Sequence, residues 1–403
     1  MNRLSYSHFR VDRTPTQISL LQAIRNYESS SRTRLSDMTG IQHAAISRAV
    51  SGLLEDKLVY EKPMADSVGP RRKSGLYLNP DHGYVIGMEY MPCGFEAMAV
   101  NFGYMAAKTF RKSMDLANMP QARRVEEIIS YLRHCLKECS ELKGKCLGVS
   151  LLDPGMVDTA NGRTVFCSVM DDWRDVPIAE LVGKALNLPV LLPHCMSAKV
   201  AAVDRFEIKG NRQNVLFIEY GDGIACGLKL AGAFPTGHAN CAGEMGHIHI
   251  TDREVLCRCG AVGCLEAVCA LPALAAEAHE AIKKKCETSL AKLPMVCGIN
   301  VLEAAAQGDR LACRIVEEAL EHLAKAVCGL VNILDPELIV FDNRMKAAGP
   351  MLLADFVRNV SKRFAVLQKQ TIEIRFSDIE THLGSLGAGV SLLDRYLASS
   401  STD

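Results

Sequence analysis

The sequence predicts an α/β protein that has an N-terminal winged helix-turn-helix domain and a larger body of two similar lobes. Three short helical patterns and then two strand patterns occupy residues 1–80. Beyond them strands and helices alternate, and the strand-turn-strand unit that opens the body occurs again at 214–232. A chain of 403 residues is also too long for one ordinary hydrophobic core, so we expect two or three domains.

The first segment of the chain has the pattern of a helix-turn-helix. Apolar residues recur at helical spacing in ISLLQAIRNYE (18–28) and in IQHAAISRAVSGLLEDKLV (41–59). Between them, SRTRLSDMTG (31–40) begins with Ser/Thr cap candidates and ends on Gly40, a residue typical of helix C-caps. A helix, a short turn with glycine and a second helix form the pattern that many DNA-binding proteins use.

Two strand patterns around a polar loop predict a wing. LVYEKP (58–63) and SGLYLNP (74–80) flank the loop MADSVGPRRK. The second helix of the motif is expected to enter the major groove. The side chains of this helix that we expect to contact base edges and phosphates are Gln42, His43, Ser47 and Arg48. The basic residues at the wing tip, expected to contact the phosphate backbone or the minor groove, are Arg71, Arg72 and Lys73.

The charge distribution favours an anionic partner for this segment. Residues 1–80 contain twelve Lys/Arg and seven Asp/Glu, whereas the whole chain has a formal net charge of zero. A basic run is usually just a solvated face, and any small helical domain can contain such a turn. The complete order of helices, turn, wing and basic tip favours operator DNA over that alternative.

The body begins with a predicted hairpin at 83–92 and 95–103. The other predicted elements are a helix at 120–140, a buried strand ending in a turn at 145–158, a strand-turn-strand at 214–232, helices at 270–285 and 310–333, and a strand at 337–342. We therefore assign residues 1–80 to the DNA-binding domain and residues 81–403 to the body. Ligands of two-lobed proteins commonly bind in the cleft between the lobes.

Composition favours a cytoplasmic protein without a membrane span. No apolar run approaches the roughly 18 residues of a spanning helix, and the N-terminus lacks the apolar core of a signal peptide. In a reducing cytosol the sixteen cysteines are expected to be free thiols or metal ligands rather than disulfides. Most of them occur singly in apolar stretches, which predicts small buried hydrophobic side chains. Only Cys257, Cys259 and Cys264 cluster.

These three cysteines predict a structural zinc site. Thiolate and imidazole are good Zn²⁺ ligands, and three cysteines with one histidine complete a tetrahedral set. The predicted ligands are His247, Cys257, Cys259 and Cys264. His249 is the alternative histidine, because it would share a strand face with His247. A disulfide is disfavoured in the reducing cytosol. A redox pair of Cys257 and Cys259 would leave His247 and Cys264 without a role.

At this point the chain resembles a known family. GEMGH (243–247) followed by CRCGAVGCLE (257–266) closely resembles the signature of the ROK family, a group of bacterial repressors, open reading frames and sugar kinases. The N-terminal segment resembles the winged helix-turn-helix of its repressor branch. The other matching stretches are SLLDPGMVD (150–158), YGDGIACGL (220–228), LDPELIVF (334–341) and GSLGAG (384–389).

The resemblance implies an actin-like (ribonuclease H-like) body of the ATPase type, with a sugar cleft beside a structural zinc. One lobe would comprise about 81–200 with the C-terminal helix at 384–403, and the other, about 201–383, would contain the zinc motif. The residues that the resemblance places at the sugar are His194, Glu244, His247 and Glu266. Carboxylates and imidazoles suit hydroxyl groups because they accept or exchange hydrogen bonds with them.

The chain departs from the kinases of this family in its phosphate-binding turns. Their first hairpin turn resembles D-x-G-x-T, whereas the aligned EYMPC (89–93) has no glycine and Pro92 has no N–H to donate. The second turn, YGDG, has Asp222 where similar kinases have Thr or Ser, and a carboxylate there would repel a nucleotide phosphate.

Two further departures affect the catalytic base and the nucleotide pocket. Similar kinases have an Asn-Asp pair whose Asp deprotonates the sugar hydroxyl, and here His194 and Cys195 stand in those places. Asp342 and Asn343 replace a pair of glycines near the nucleotide. We therefore expect no kinase activity and no ATP as a cofactor.

The combined hypothesis is a sugar-responsive transcriptional regulator that represses carbohydrate-metabolism genes and forms a homodimer or tetramer on operator DNA. Two recognition helices must reach half-sites about one turn of DNA apart, which requires at least two copies. The alternatives are a ROK-type sugar kinase with residual ATP-dependent phosphotransfer and a regulator that responds to no small molecule.

Overall fold

The computed structural model describes residues 11–27, 30–64, 74–364 and 372–400. Its contacts divide the chain into two compact units. The first comprises residues 1–198 and 382–403, and the second comprises residues 199–381. Within the described residues no helix combines the length and the apolar character that a membrane crossing requires.

The first unit opens with three helices, α1 (Pro15–Asn26), α2 (Arg32–Thr39) and α3 (His43–Glu55). Thr14 caps α1 by accepting a hydrogen bond from the backbone N–H of Gln17, and Pro15 stands at the first helical position, where a missing N–H costs nothing. Gly40 ends α2 in the left-handed conformation, at φ 68°. The predicted helix, turn and helix are confirmed.

The third helix is shorter than the sequence pattern predicted. It ends at Glu55, and Lys57 then adopts φ 55°, which turns the chain out of the helix and into a strand. That strand, β1 (Val59–Pro63), pairs antiparallel with β2 (Ser74–Leu78), so both strands of the predicted wing are present. Leu58 and Val59 remain buried, which explains why their apolar side chains prolonged the helical pattern.

The body part of the first unit is built on a five-stranded sheet in the order β10-β6-β3-β4-β5. Its strands are β3 (Gly83–Met91), β4 (Gly94–Asn101), β5 (Ala106–Ser113), β6 (Lys145–Leu152) and β10 (Val190–Leu191). A small antiparallel sheet contains β7 (Met156–Asp158), β8 (Arg163–Phe166) and β9 (Arg174–Val176). The helices of this part are α4 (Gln121–Glu138), α5 (Ile178–Leu186), α6 (Cys195–Val203), which continues past residue 198, and the final helix α12 (Leu383–Ala398).

Strand β3 is buried on both faces. Ile86, Met88 and Tyr90 share a core with α4 and α5, as expected for alternating residues of one strand face. On the opposite face Gly87 meets α12 so closely that an added Cβ would lie 2.0 Å from the carbonyl oxygen of Ser385. Glycine is therefore required there for the sheet and the helix to pack together.

The second unit is built on a four-stranded sheet in the order β12-β11-β13-β14. Its strands are β11 (Val215–Tyr220), β12 (Ile224–Lys229), β13 (Leu338–Phe341) and β14 (Glu373–Phe376). Its helices are α7 (Leu265–Cys269), α8 (Leu271–Lys283), α9 (Gly298–Ala306), α10 (Arg310–Leu334) and α11 (Gly349–Phe364). Apolar residues of one stripe of α10 join the core of this unit, in which Val316, Leu323 and Val327 have no exposed surface.

Candidate metal centre and DNA-binding surface

Helix α3 presents a polar face to solvent. Its apolar residues Ile46, Val50 and Leu53 are fully buried in the small N-terminal domain. The opposite face carries the residues predicted to contact DNA, and Gln42, His43, Ser47 and Arg48 are all exposed. Arg71, Arg72 and Lys73 lie outside the described residues. The described part of the motif thus leaves a helix face available to a partner such as the major groove.

Four side chains of the second unit form a group that can hold a metal ion. One ligand atom from each of His247, Cys257, Cys259 and Cys264 lies within 4.8 Å of all the others. Sγ of Cys257 is 3.7 Å from Nδ1 of His247, and Sγ of Cys259 is 3.8 Å from Sγ of Cys264. A tetrahedral ion with metal–sulfur bonds of about 2.3 Å places its sulfur ligands about 3.8 Å apart, so these separations fit such an ion.

Local backbone geometry brings the cysteines together. The N–H of Gly260 donates to the carbonyl of Cys257, and the N–H of Cys257 donates to that of Ala261, which closes a tight loop. Gly260 and Gly263 have φ values of 91° and 76°, a region that glycine adopts without strain. Cys264 then stands at the N-terminus of α7. Glycine at positions 260 and 263 therefore lets the chain turn tightly between the cysteines.

His249 lies outside this group of four. It pairs with Cys264 through a backbone bridge, and its ring packs against Gly263, where an added Cβ would lie 2.8 Å from Nε2 of His249. The structure thus gathers His247 with the cysteines and leaves His249 outside the group, packed against Gly263.

Protonation of the thiols opposes metal binding until an ion displaces the protons. Burial raises the pKa of Cys257 and of Cys264 above that of an ordinary thiol. The backbone N–H of Ala261 lowers the pKa of Cys259 by stabilising its thiolate. Occupancy by a cation should therefore release protons and fall as the solution becomes acidic.

Two carboxylates lie beside this group. Oε1 of Glu266 is 3.3 Å from Sγ of Cys257, and Oε2 of Glu244 is 3.7 Å from Nε2 of His247. Burial raises the pKa of Glu244, the nearby Glu266 raises it further and His247 lowers it. Glu244 and Glu266 thus each contact one of the candidate metal ligands. His247 directs Nδ1 to the cysteines and Nε2 to Glu244.

The turn between β11 and β12 is covered by arginine side chains of the same unit. An added Cβ at Gly221 would lie 2.3 Å from Nη1 of Arg344. Arg258, on the cysteine loop, donates to the carbonyl of Asp222 at 2.6 Å. The N–H of Gly221 donates to the carbonyl of Gly223 within the turn itself. The carbonyls of Asp222 and Gly223 and the N–H of Gly221 are therefore already hydrogen-bonded within the protein.

Arg344 belongs to a network of four charges. It donates to Asp342 from Nε and Nη2 at 2.8 Å each, and to Glu219 at 3.0 Å. Lys199 donates to the same Glu219 at 2.7 Å. Burial alone would raise the pKa of Glu219, but the two cations lower it to about 2. The network balances two positive charges with two negative ones.

The turn between β3 and β4 consists of Pro92 and Cys93. Their carbonyls accept hydrogen bonds from the N–H groups of Leu116 and Met114. The carboxylate of Glu89 lies against α12, where an added Cβ at Gly384 would be 1.9 Å from Oε2. This turn has neither a glycine at its tip nor an N–H on Pro92.

His194 is a buried residue at the start of α6. Its Nδ1 accepts a hydrogen bond from the N–H of Ser197 at 3.3 Å and lies 3.0 Å from the hydroxyl oxygen of Ser197. Burial lowers the pKa of His194 because it disfavours the charged imidazolium. A neutral ring with an accepting Nδ1 carries its hydrogen on Nε2.

Sequence reasoning missed Arg344 and Arg258. No local pattern marks Arg344, because its partner Glu219 precedes it by 125 residues. Arg258 stands between Cys257 and Cys259, and the motif itself predicts no contact for its side chain. Its contact with Asp222 follows from the path of the loop and not from spacing.

The geometry defines a winged helix-turn-helix protein whose second unit carries a Cys₃His group able to hold a metal ion, and the chain belongs to the ROK family. The ROK family model matches residues 104–394. A crystal structure of the ROK family transcriptional regulator that is a homolog of the E. coli MLC protein superposes with a TM-score of 0.79 and 20% identity. The match covers 94% of this chain and 98% of that chain. This likeness confirms the predicted fold class.

Repressors and kinases are both among the relatives. The xylose repressor of Caldicellulosiruptor bescii is 24% identical over 381 residues, which are 92% of this chain and 93% of that repressor. The glucokinase of Thermotoga maritima is 27% identical over 274 residues, which are 67% of this chain and 86% of that kinase. The repressor thus matches nearly the full length of this chain, and the kinase only two thirds of it.

Proposed function

We propose that this chain is a sugar-responsive transcriptional regulator, a repressor, whose N-terminal domain binds operator DNA. The observation that carries the proposal is the exposed polar face of α3 in a chain that matches a xylose repressor along 92% of its length. In this proposal residues 1–80 bind DNA, and residues 81–403 bind the effector in the cytoplasm. The basic residues Arg71, Arg72 and Lys73 contact the phosphate backbone or the minor groove.

A gel-shift comparison tests DNA binding directly. We expect the purified protein to bind a fragment of its own promoter region more tightly than random DNA of equal length, by about a thousandfold at fixed salt. Equal affinity for the two fragments would refute the proposal. A protein with a palindromic site must bind as two copies, so the complex should contain a dimer or a tetramer of the chain.

The metal of the Cys₃His group is structural Zn²⁺ in this proposal. The support is the donor set, because three thiolates and one imidazole leave no coordination position for a substrate. If Zn²⁺ is bound, Cys257, Cys259 and Cys264 would tie the loop of residues 257–264 to His247 through the ion. Glu266 and Glu244 would then keep fixed positions, because Glu266 lies beside the ligand Cys257 and Glu244 lies beside the ligand His247.

The effector is a sugar or a sugar derivative held by Glu244, His247 and Glu266. Their position at the Cys₃His group supports this role, because carboxylates and imidazole exchange hydrogen bonds with hydroxyl groups. His194 is a further contact, with Nε2–H as the donor. A thermal-shift screen of sugars and sugar phosphates tests the site, and a true ligand at a hundred times its Kd should stabilise the protein by roughly 2.7 kcal/mol.

The body is not a kinase in this proposal. Three observations support that conclusion: Pro92 in the first turn, the arginines over the second turn, and Asp342 engaged with Arg344. We expect no transfer of phosphate from ATP to any sugar of the panel. Formation of a sugar phosphate that depends on ATP, with micromolar affinity in calorimetry, would favour the rival function of a residual sugar kinase.

A further inference from the structure

The C-terminal helix α12 is fastened to α1 of the DNA-binding domain by a two-point ion pair. Nε of Arg25 donates to Oδ1 of Asp394 at 2.9 Å, and Nη2 donates to Oδ2 at 2.5 Å. The hydroxyl of Tyr104, in the turn between β4 and β5, also donates to Asp394. The guanidinium of Arg25 lies over the ring of Tyr104, 5.5 Å from its centroid. A bidentate pair of this kind fixes orientation as well as distance.

A second contact lies one helical turn or less away on α12. Arg13, just before α1, donates to the carbonyl of Tyr396 at 2.5 Å and lies over its ring at 4.5 Å. The same ring packs edge-on against Phe102, and its hydroxyl lies 3.1 Å from Nε2 of His82. Arg13 and Tyr396 are almost fully buried. Arg13 of the DNA-binding domain therefore packs against the last turns of α12.

The other end of α12 is fixed in the body. Gly87 of β3 meets the backbone of Ser385 and Gly389, with an added Cβ only 2.0 and 2.5 Å from their atoms. Gly389 in turn lies against the side chain of Val100. Strand β3 and helix α12 are in such close backbone contact that they cannot slide past each other, since packed interiors have almost no free volume. Helix α12 is thus a rigid extension of the β3–β4 hairpin toward the DNA-binding domain.

The covalent connection between the two parts is short. Only Asn79 and the single 3-10 turn Pro80–His82 separate β2 from β3. The side-chain amide of Asn79 donates to the carbonyl of Lys57, just after α3. One short linker still permits rotation about its own bonds, and a second attachment through α12 removes that freedom. The contacts named here are an ion pair, hydrogen bonds and aromatic contacts, and interfaces between domains with separate cores are commonly more polar than a domain core.

We propose that the Arg25–Asp394 and Arg13–Tyr396 contacts form a latch that positions α3 relative to the body. This inference rests on the proposed DNA-binding function, and it names positioning residues that need not touch DNA. In a two-fold dimer, the orientation of each DNA-binding domain sets the distance between the two recognition helices. The latch therefore determines which half-site spacing the protein accepts.

The test compares DNA spacing and hydrogen exchange in matched variants. The wild-type protein first selects a duplex from a random-sequence library, and the spacing of its half-sites is then changed one base pair at a time. We expect a sharp optimum for the wild type. Asp394→Asn should bind roughly tenfold more weakly at that optimum and with a flatter spacing profile. Asp175→Asn, which breaks an exposed pair with Arg163, is the matched control and should behave as the wild type.

Hydrogen exchange of the free protein gives a second readout that needs no DNA. Backbone amides of residues 16–26 and of Asn79, Asp81 and His82 should exchange several-fold faster in Asp394→Asn and at the wild-type rate in Asp175→Asn. The charge-swapped double variant, Arg25→Asp with Asp394→Arg, should restore slow hydrogen exchange and the sharp optimum in half-site spacing. If Asp394→Asn does not fold, Arg25→Gln removes the same pair from the other side.

The outcomes separate the latch from the DNA-binding proposal. Wild-type protein that selects no duplex refutes DNA binding, and the exchange data still decide whether the latch exists. Wild-type exchange rates in Asp394→Asn overturn the latch. An unchanged spacing profile in a variant with faster exchange also overturns it, because positioning of α3 would then not depend on the pair. A folded double variant that restores neither readout overturns the assignment to Arg25 and Asp394.

Discussion

Arg48 is the side chain on which the proposed DNA contact depends most clearly. It is exposed on α3, two residues beyond the buried Ile46 and therefore on the opposite face of the helix, and arginine side chains bind guanine edges and phosphates. Its position on the solvent face follows from the helical period alone, since Ile46, Val50 and Leu53 take the buried face.

Replacing Arg48 should separate DNA binding from stability. We expect Arg48→Ala to weaken operator binding by about tenfold or more, because one base or phosphate contact is worth about 1–3 kcal/mol. The melting temperature should stay within about 1 °C of the wild type, because an exposed side chain contributes little to folding. Fluorescence anisotropy measures the first effect, and Lys137→Ala, an exposed cation on α4, controls for the loss of charge. Equal losses in both variants would mean that only net charge matters.

Cys264 provides the corresponding residue-scale test of the metal centre. Metal analysis of the purified protein should find about one zinc per chain, and Cys264→Ser should lose most of it. Because the metal holds the loop, we also expect a lower melting temperature. Cys286→Ser is the matched control, since Cys286 is an exposed free cysteine outside the group. Full zinc content in Cys264→Ser would show that this thiol is not a ligand.

At the scale of elements, the close contact between β3 and α12 depends on one glycine. Gly87→Ala should lower the melting temperature by roughly 6 °C or more, because the new methyl group meets a backbone carbonyl that cannot move alone. Gly329→Ala is the control, because nothing lies within 4 Å of its added Cβ and the residue is inside α10. That variant should gain about 0.5–1 kcal/mol from the helix propensity of alanine. Equal melting temperatures of the two variants would show that β3 and α12 separate easily.

The elements themselves were largely predictable, with errors at their ends. Helix caps such as Gly40 and strand pairs such as the wing follow from local patterns. The end of α3 was placed too late because Leu58 and Val59 are apolar and buried in both a helix and a strand. The small sheet of β7, β8 and β9 was not predicted beyond its first turn, because strands of three or four residues show no measurable period.

At the scale of the whole molecule, acid stability should depend on the network around Glu219. Its folded pKa of about 2 lies below the unfolded value of about 4.3. The carboxylate therefore stabilises the folded state fully above that unfolded value, and the contribution is lost as the pH falls toward 2. The loss should be on the order of 3 kcal/mol in the wild type and absent in Glu219→Gln.

Melting curves between pH 5 and pH 2 measure this difference. The Glu219→Gln protein should be less stable near neutral pH, because Lys199 and Arg344 lose a partner, and its melting temperature should fall less steeply in acid. Any metal released in acid would be released from both proteins, so this effect cancels in the comparison. Glu126→Gln, which removes an exposed pair with Arg123, should follow the wild-type curve. Parallel curves for the wild type and Glu219→Gln would contradict the assigned network.

The sequence by itself determined the order of elements, the winged helix-turn-helix and the cysteine motif. Each of these depends on residues close together in the chain, where periodicity, caps and spacing are visible. It left open which histidine joins the cysteines, and it gave no sign of Arg344 or of the pair between Arg25 and Asp394. Those partners are separated by 125 and 369 residues, so only the folded chain brings them together. Tertiary structure decided them because charge pairing over such separations depends on the path of the backbone and not on local composition.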